Sequence, residues 1–323
     1  LTALIVRAEG DLYTTLTQYD QAVQSYQRAM TFAERAEDAA TEADIAETIA
    51  TTYQRQQRYA EAIQAFLNAS KLWQEADEPV RAARAIGSAG GNHAAQGKYT
   101  EALALYDQAF TQAQQADAVD LAALIKKAGG DLYVEMGNYD KAFAAYDAAL
   151  QRSAGDENRA LRSEVLEAIA ISQQKLAHYD EAIAAQQPAL DLWVQLQENR
   201  RAELARYRLW QLYLQTNRFD EAKAITGRDI GFDPAAETAP VRGEVEINGL
   251  AMHPEFTKWQ LDLLIDGNEQ QATNVLVGWW PTWGQLTTLD TTKYPNGQHK
   301  LRLRVVRAGS NYDEYFRTIN IQN

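Results

Sequence analysis

The sequence predicts a superhelical solenoid of α-helical hairpins followed by a small all-β sandwich, and three observations carry that prediction. Tyr19, Tyr59, Tyr99, Tyr139, Tyr179 and Phe219 recur every 40 residues, a regularity that only a repeat architecture produces. An alanine follows each aromatic by three residues, at Ala22, Ala62, Ala102, Ala142, Ala182 and Ala222. Composition then changes near residue 235, from Ala, Gln, Glu and Leu in helical periodicity to Val, Ile, Thr, Trp and Tyr in short alternating runs.

Each 40-residue unit reads as helix, tight turn, helix. Gly10, Ala50, Gly90, Gly130 and Ala170 hold one column, and Tyr26, Phe66, Tyr106 and Tyr146 another that breaks at Gln186. Two helices that cross closely need a position without a bulky side chain, and large aromatics fill the space around the crossing. In the turns, Gly97, Gly137 and Asn217 suit a left-handed stop, while Asp20, Asp140, Asp180 and Asp220 suit the positive end of the next helix. The fifth unit is degenerate, with Gln173, Gln186 and Pro188, and a proline inside a helix removes a backbone donor, so a kink is expected there. The sixth keeps Tyr213, Phe219 and Ala222 but runs into TGRDIGFDP, so its second helix is expected to be short. These boundaries give a helical array over residues 1–228, a linker over 229–240 and a β module over 241–323.

Small residue, Tyr13, turn aromatic, Ala22, Tyr26 and Ala29 follow one another at spacings that resemble the tetratricopeptide repeat. The period is 40 rather than the usual 34 and the closing proline is missing, which implies helices extended by most of a turn. The resemblance implies a right-handed array whose first helices line a concave groove that binds a peptide or protein. Carried over residue by residue, that groove contains Glu47, Thr51 and Arg55, then Arg84, Gly87, Ser88, Gly91 and Ala95, then Lys127, Asp131 and Glu135. Positions 84, 87, 88, 91 and 95 share one helical stripe, and Gly87 and Gly91 on it mark either close packing or the approach of a ligand. Lys127 is followed at the next turn by Asp131, not by the Asn with which some relatives clamp a chaperone tail.

The β region reads as about six strands, with alternation clearest in LRLRVV, where Leu301, Leu303 and Val305 face one way and Arg302 and Arg304 the other. Its order of G-x-V-x-I-x-G, an apolar strand after Phe and Trp, YPNG and a final Ile-Asn-Ile strand is similar to immunoglobulin-like or fibronectin-like modules of bacterial envelope and secreted proteins. That similarity moves the expected compartment towards the outside of the cell. Trp279, Trp280 and Trp283 form a possible aromatic surface for sugar rings or a partner. Alternation instead expects Trp259 and one of the adjacent pair to face the core.

Composition narrows the function classes. The formal net charge is −13, of which −12 lies in the array and linker and −1 in residues 241–323. An acidic array argues against nucleic acid and against anionic membrane surfaces. No cysteine is present, which excludes disulfides and thiolate zinc sites. No run of about 18 apolar residues exists. The four histidines are scattered without ligand spacing, and GNHAAQGKY lacks both the spacing and the Ser or Thr of a phosphate-binding loop. No catalytic constellation, metal site or cofactor site is expected. The expectation is a non-enzymatic interaction scaffold. Its rivals are carbohydrate or cell-wall attachment through the tryptophans, or the sensor arm of a larger signalling protein continuing upstream of Leu1, which already lies in repeat phase.

Overall fold

A computed structural model describes residues 1–155, 158–233 and 239–323. It contains twelve α-helices and eight β-strands among the described residues. Helices pair as hairpins: α1 (Thr2–Thr15) with α2 (Tyr19–Glu34), α3 (Ala39–Arg55) with α4 (Tyr59–Glu75), α5 (Pro79–Ala95) with α6 (Tyr99–Gln115), α7 (Val119–Glu135) with α8 (Tyr139–Arg152) and α9 (Arg159–Lys175) with α10 (Tyr179–Gln195). Two further helices follow, α11 (Asn199–Gln215) and the short α12 (Phe219–Thr226). The chain divides into two compact units, Leu1–Asn199 and Arg200–Asn323. Thus α11 and α12 fall with the strands, upstream of the boundary placed at residue 228 from composition.

The column residues do the packing expected of them. Ala22, Ala62, Ala102, Ala142, Ala182 and Ala222 are fully buried. A side chain at Gly10 would sit 2.5 Å from the Tyr26 ring, and one at Gly130 would sit 2.5 Å from Tyr146. Glycine is required there because the aromatic of the second helix lies flat on the backbone of the first. In the second repeat the smaller Ala50 meets Phe66, both buried in one apolar cluster.

Every hairpin turn is a repeated left-handed cap. Thr17, Gln57, Gly97, Gly137, Ala177 and Asn217 all have φ between 58° and 72°. The amide after each reaches back to the carbonyl five residues before it, as in Gln18 to Tyr13 at 2.8 Å and Arg58 to Tyr53 at 2.9 Å, satisfying carbonyls at the helix end. Non-glycine residues thus adopt the same geometry as Gly97 and Gly137. The helix α10 runs unbroken through Pro188, so the degenerate fifth repeat keeps its hairpin. Its weak point is Gln186, fully buried with neither amide atom paired among the described residues.

In the second unit, strands β1 (Gly231–Phe232), β3 (Glu244–Ala251) and β6 (Thr282–Asp290) form one sheet in the order β1-β3-β6. Strands β2 (Pro240–Val241), β4 (Phe256–Leu264), β5 (Ala272–Gly278), β7 (Gly297–Arg307) and β8 (Tyr312–Ile321) form another in the order β2-β8-β7-β4-β5. Pairing is antiparallel except for the short parallel β2–β8 contact. Ile247, Leu289, Trp259, Leu261, Leu303, Val305 and Ile321 from both sheets share one core. The segment 229–240, expected as a linker, supplies β1 and the start of β2, and 234–238 lie outside the described residues.

Arg302 and Asp262 point to the outer face, as alternation requires, yet both are buried. The guanidinium holds one Asp262 oxygen at 2.8 and 3.2 Å, and Gln260 and Asn274 donate to the other oxygen at 2.8 and 3.1 Å. Burial acts to raise the Asp262 pKa, but the hydrogen bonds from Gln260, Arg302 and Asn274 outweigh it and hold the carboxyl below its ordinary value. A depressed folded-state pKa gives stability that is complete above the ordinary carboxylate range and is lost as pH falls through the folded value.

Two outcomes are expected. Replacing Gln186 by Phe, the residue its column carries in the second repeat, should raise the first unit's stability by about 1 to 3 kcal/mol by removing the unpaired amide, read from denaturant unfolding; no change or a loss would contradict the account of this column. Lowering the pH from about 5 to 2 should destabilise the second unit, and Asp262→Asn should make that dependence shallower while lowering stability at neutral pH by about 3 kcal/mol or more. Identical pH slopes for the two proteins would remove Asp262 from the explanation.

Candidate functional site: a polar groove on the first helices

The residues expected to line a groove lie on α3, α5 and α7, and those on α3 and α5 are arranged by charge. Asp44, Glu47, Thr48 and Thr51 of α3 and Arg81 and Arg84 of α5 line a cleft of about 350 Å³. Three of the expected groove residues, Glu47, Thr51 and Arg84, therefore meet in one place. Asp44, Thr48 and Arg81 were not anticipated. Asp44 and Thr48 are the 40-residue equivalents of Arg84 and Ser88, so carrying the third-repeat stripe back one period finds them.

The walls of this cleft are fixed from behind. The buried Trp73 donates its indole hydrogen to Glu47 at 3.1 Å, and the Arg81 guanidinium lies 4.6 Å above the same ring. Asp44 is bonded at 2.5 Å by Arg7 of α1, whereas Arg84 is exposed and forms no ion pair among the described residues. One side of the cleft is thus carboxylate and hydroxyl, the other guanidinium. Such a surface is complementary to polar and charged groups rather than to an apolar face.

Farther along, Lys127 pairs with Asp131 at 2.9 Å, and Asp131 also accepts from the Tyr146 hydroxyl at 2.8 Å. The first repeat repeats this chemistry, with the Tyr26 hydroxyl donating to Asp11 at 2.8 Å. Burial pushes the Tyr26 pKa up to about 12, and burial reinforced by the Asp131 charge raises that of Tyr146, so both phenols remain neutral donors. Arg55 and Glu135 stand exposed near the ends of α3 and α7 and join no cluster.

The glycines of α5 divide into two kinds. Gly90 is a packing residue, since a side chain there would approach the Tyr106 ring to 2.9 Å. At Gly87 and Gly91 an added Cβ would find its nearest neighbours at 3.9 and 3.7 Å, ordinary contact distances. Helix packing therefore explains Gly90 but not Gly87, Gly91 or the bare stripe they share with Ser88.

A second cleft, apolar and of about 560 Å³, opens between α2, α3 and α4, with Met30, Ile49, Tyr53 and Ala65 among its lining. No group of His, Cys, Asp and Glu among the described residues is arranged to hold a metal ion. No helix there is long and apolar enough to cross a membrane.

The tryptophans of the β region separate sharply. Strand β5 ends at Gly278, and Trp279 and Trp280 lie in the turn beyond it, 63% and 80% exposed. The expectation that one of them faces the core fails because strand alternation stops where the strand does. Trp259 is in the core as expected. It props the turn from beneath, donating to the Thr282 hydroxyl at 3.0 Å, which in turn donates to the Trp280 carbonyl at 3.0 Å. Trp283 is not an open surface: it is partly buried, with its ring 6.1 Å from those of Tyr207 and Trp210.

Tetratricopeptide-repeat family profiles match residues 41–115 and residues 8–35 and 130–156. The hairpins over those residues are tetratricopeptide repeats. No curated protein matches the chain. Among solved structures, the chain is similar to BtubC (BKLC) from P. vanneervenii, with 16% identity and a TM-score of 0.57 over 65% of this chain and 89% of that one. A STAND signal-transduction ATPase with a tetratricopeptide repeat sensor, from Pyrococcus horikoshii, aligns at 16% identity and a TM-score of 0.56 over 69% of this chain, which spans 34% of the ATPase. The apo form of RapI aligns at 14% identity and a TM-score of 0.55 over 69% of this chain and 67% of that one. At these identities the likeness is one of fold.

The two exposed indoles and the packed one differ in a measurable way. Trp283→Ala should lower the second unit's unfolding free energy by about 2 kcal/mol or more through loss of the aromatic cluster. Trp280→Ala should stay within about 0.5 kcal/mol. Equal shifts in chemical denaturation would contradict this division.

Proposed function

We propose that the protein is a non-enzymatic interaction scaffold that holds an extended segment of a protein partner in the groove formed by α3, α5 and α7. The observation that carries this reading is the bipolar cleft. Its acidic wall is tied down by Trp73 and Arg7, Arg84 on the opposite wall has no ion-pair partner among the described residues, and the adjoining stripe of Gly87, Ser88 and Gly91 leaves the helix backbone open to an approaching chain. Preorganised polar groups of this kind lower the ordering cost of binding. The shared fold with a protein described as carrying a tetratricopeptide repeat sensor is consistent with an interaction role.

On this reading the C-terminal β region is an immunoglobulin-like module appended to the array. A second reading places recognition on that module, and the exposure of Trp279 and Trp280 favours it, because indoles held out on a propped turn are suited to a sugar ring or a partner's apolar patch.

Capture with the full chain, identification of the partner by mass spectrometry and calorimetry against it separate the two. The combined change Gly87→Gln, Gly91→Gln and Lys127→Glu should weaken binding at least about tenfold with the circular dichroism unchanged, and Trp279→Ala with Trp280→Ala should leave affinity within about twofold. The reverse pattern would transfer the site to the β module.

A further inference from the structure

Three tyrosines occupy the same column of their repeats, at Tyr26, Tyr106 and Tyr146. In the first and fourth repeats the residue after the packing glycine is an aspartate, and the phenol donates to it at 2.8 Å, Tyr26 to Asp11 and Tyr146 to Asp131. The third repeat keeps the packing glycine, Gly90, and the phenol, but the aspartate is replaced by Gly91. Tyr106 is then a hydroxyl without a hydrogen-bond acceptor among the described residues, and a Cβ built at Gly91 would stand 3.7 Å from it. A carboxylate is missing from a position where the fold twice supplies one.

From this we infer that the groove at the third repeat takes up a carboxylate from its ligand: an aspartate or glutamate side chain of the bound segment, placed over Gly91 and accepting from the Tyr106 hydroxyl. The inference rests on the groove reading above and gives the ligand a chemical character. Burial raises the Tyr106 pKa, with the Asp131 charge adding to it, so the phenol keeps its proton for donation. Asp131 lies near enough to oppose a second negative charge, but its own charge is matched by Lys127 at 2.9 Å and its other oxygen is taken by Tyr146. Arg84, two turns earlier on the same stripe of α5, supplies a positive charge with no ion-pair partner among the described residues. Asp44 and Glu47 on the facing helix disfavour acid at the adjoining ligand position, so the recognition is local to one residue of the segment and does not extend to a uniformly acidic peptide.

The fold itself supplies the decisive variants. Phe66 holds the same column in the second repeat, so Tyr106→Phe removes the hydroxyl and keeps the packing. Gly91→Asp recreates the arrangement of the first and fourth repeats and fills the socket from within. The full-length protein is immobilised and offered capped nonapeptide libraries, randomised except for a central Asp, Glu, Asn or Gln, and retained peptides are quantified by mass spectrometry. The wild type should retain the acidic libraries about tenfold over their amides, the advantage of a hydrogen bond to a charged acceptor. Both variants should bring that ratio to about one, and Gly91→Asp should also raise the melting temperature. Equal retention of acid and amide by the wild type, or a preference that survives Tyr106→Phe, would overturn the inference while leaving the groove reading intact. Retention of neither library would take the groove reading down and this inference with it. If Gly91→Asp does not fold, Tyr106→Phe alone decides.

Discussion

The close approach of a second-helix aromatic to the backbone of the first helix is the constraint on which the array depends. Tyr26 on Gly10, Phe66 with Ala50, Tyr106 on Gly90 and Tyr146 on Gly130 are the same contact made four times. It sets the crossing of each hairpin, and the crossing in turn decides which stripe of the first helix remains uncovered. With a 40-residue unit, helices of 17 residues recur through most of the array. The proposed binding surface lies on the first helices, beside the column that packing occupies.

Much of this was readable because a repeat writes the same physical requirement several times. The hairpin register followed from the aromatic and alanine columns. Legibility ended where a residue's role depends on a neighbour distant in sequence. Gly90 and Gly91 look alike as letters, yet one is covered by the Tyr106 ring and the other is open. Thr17, Gln57 and Ala177 carry no sign of a left-handed stop, but the turn imposes φ near 59° on each. Pro188 did not interrupt α10, since the surrounding turns of the helix and its packing outweigh one missing donor.

In the β region, alternation correctly separated Leu301, Leu303 and Val305 from Arg302 and Arg304. It could not show that an outward Arg302 would be buried against Asp262, because that contact joins residues 40 apart in sequence. It also misplaced the adjacent tryptophans. A period of two holds only while the strand continues, and Pro281 follows Trp280 directly after β5 has ended at Gly278. The prop under that turn, Trp259 through Thr282 to the Trp280 carbonyl, turns a composition feature into a fixed surface. Trp283, equally suggestive as a letter, belongs to the packing of its unit instead.

Two surfaces compete for the proposed binding role, a polar groove built by the repeat and an aromatic turn built by the β module. The most direct test of the central claim is amide hydrogen exchange on the full chain with and without its captured partner. The account predicts protection that rises on binding along α3, α5 and α7, with residues 278–283 unchanged. Protection confined to that turn, with the groove helices exchanging as they do in the free protein, would contradict it.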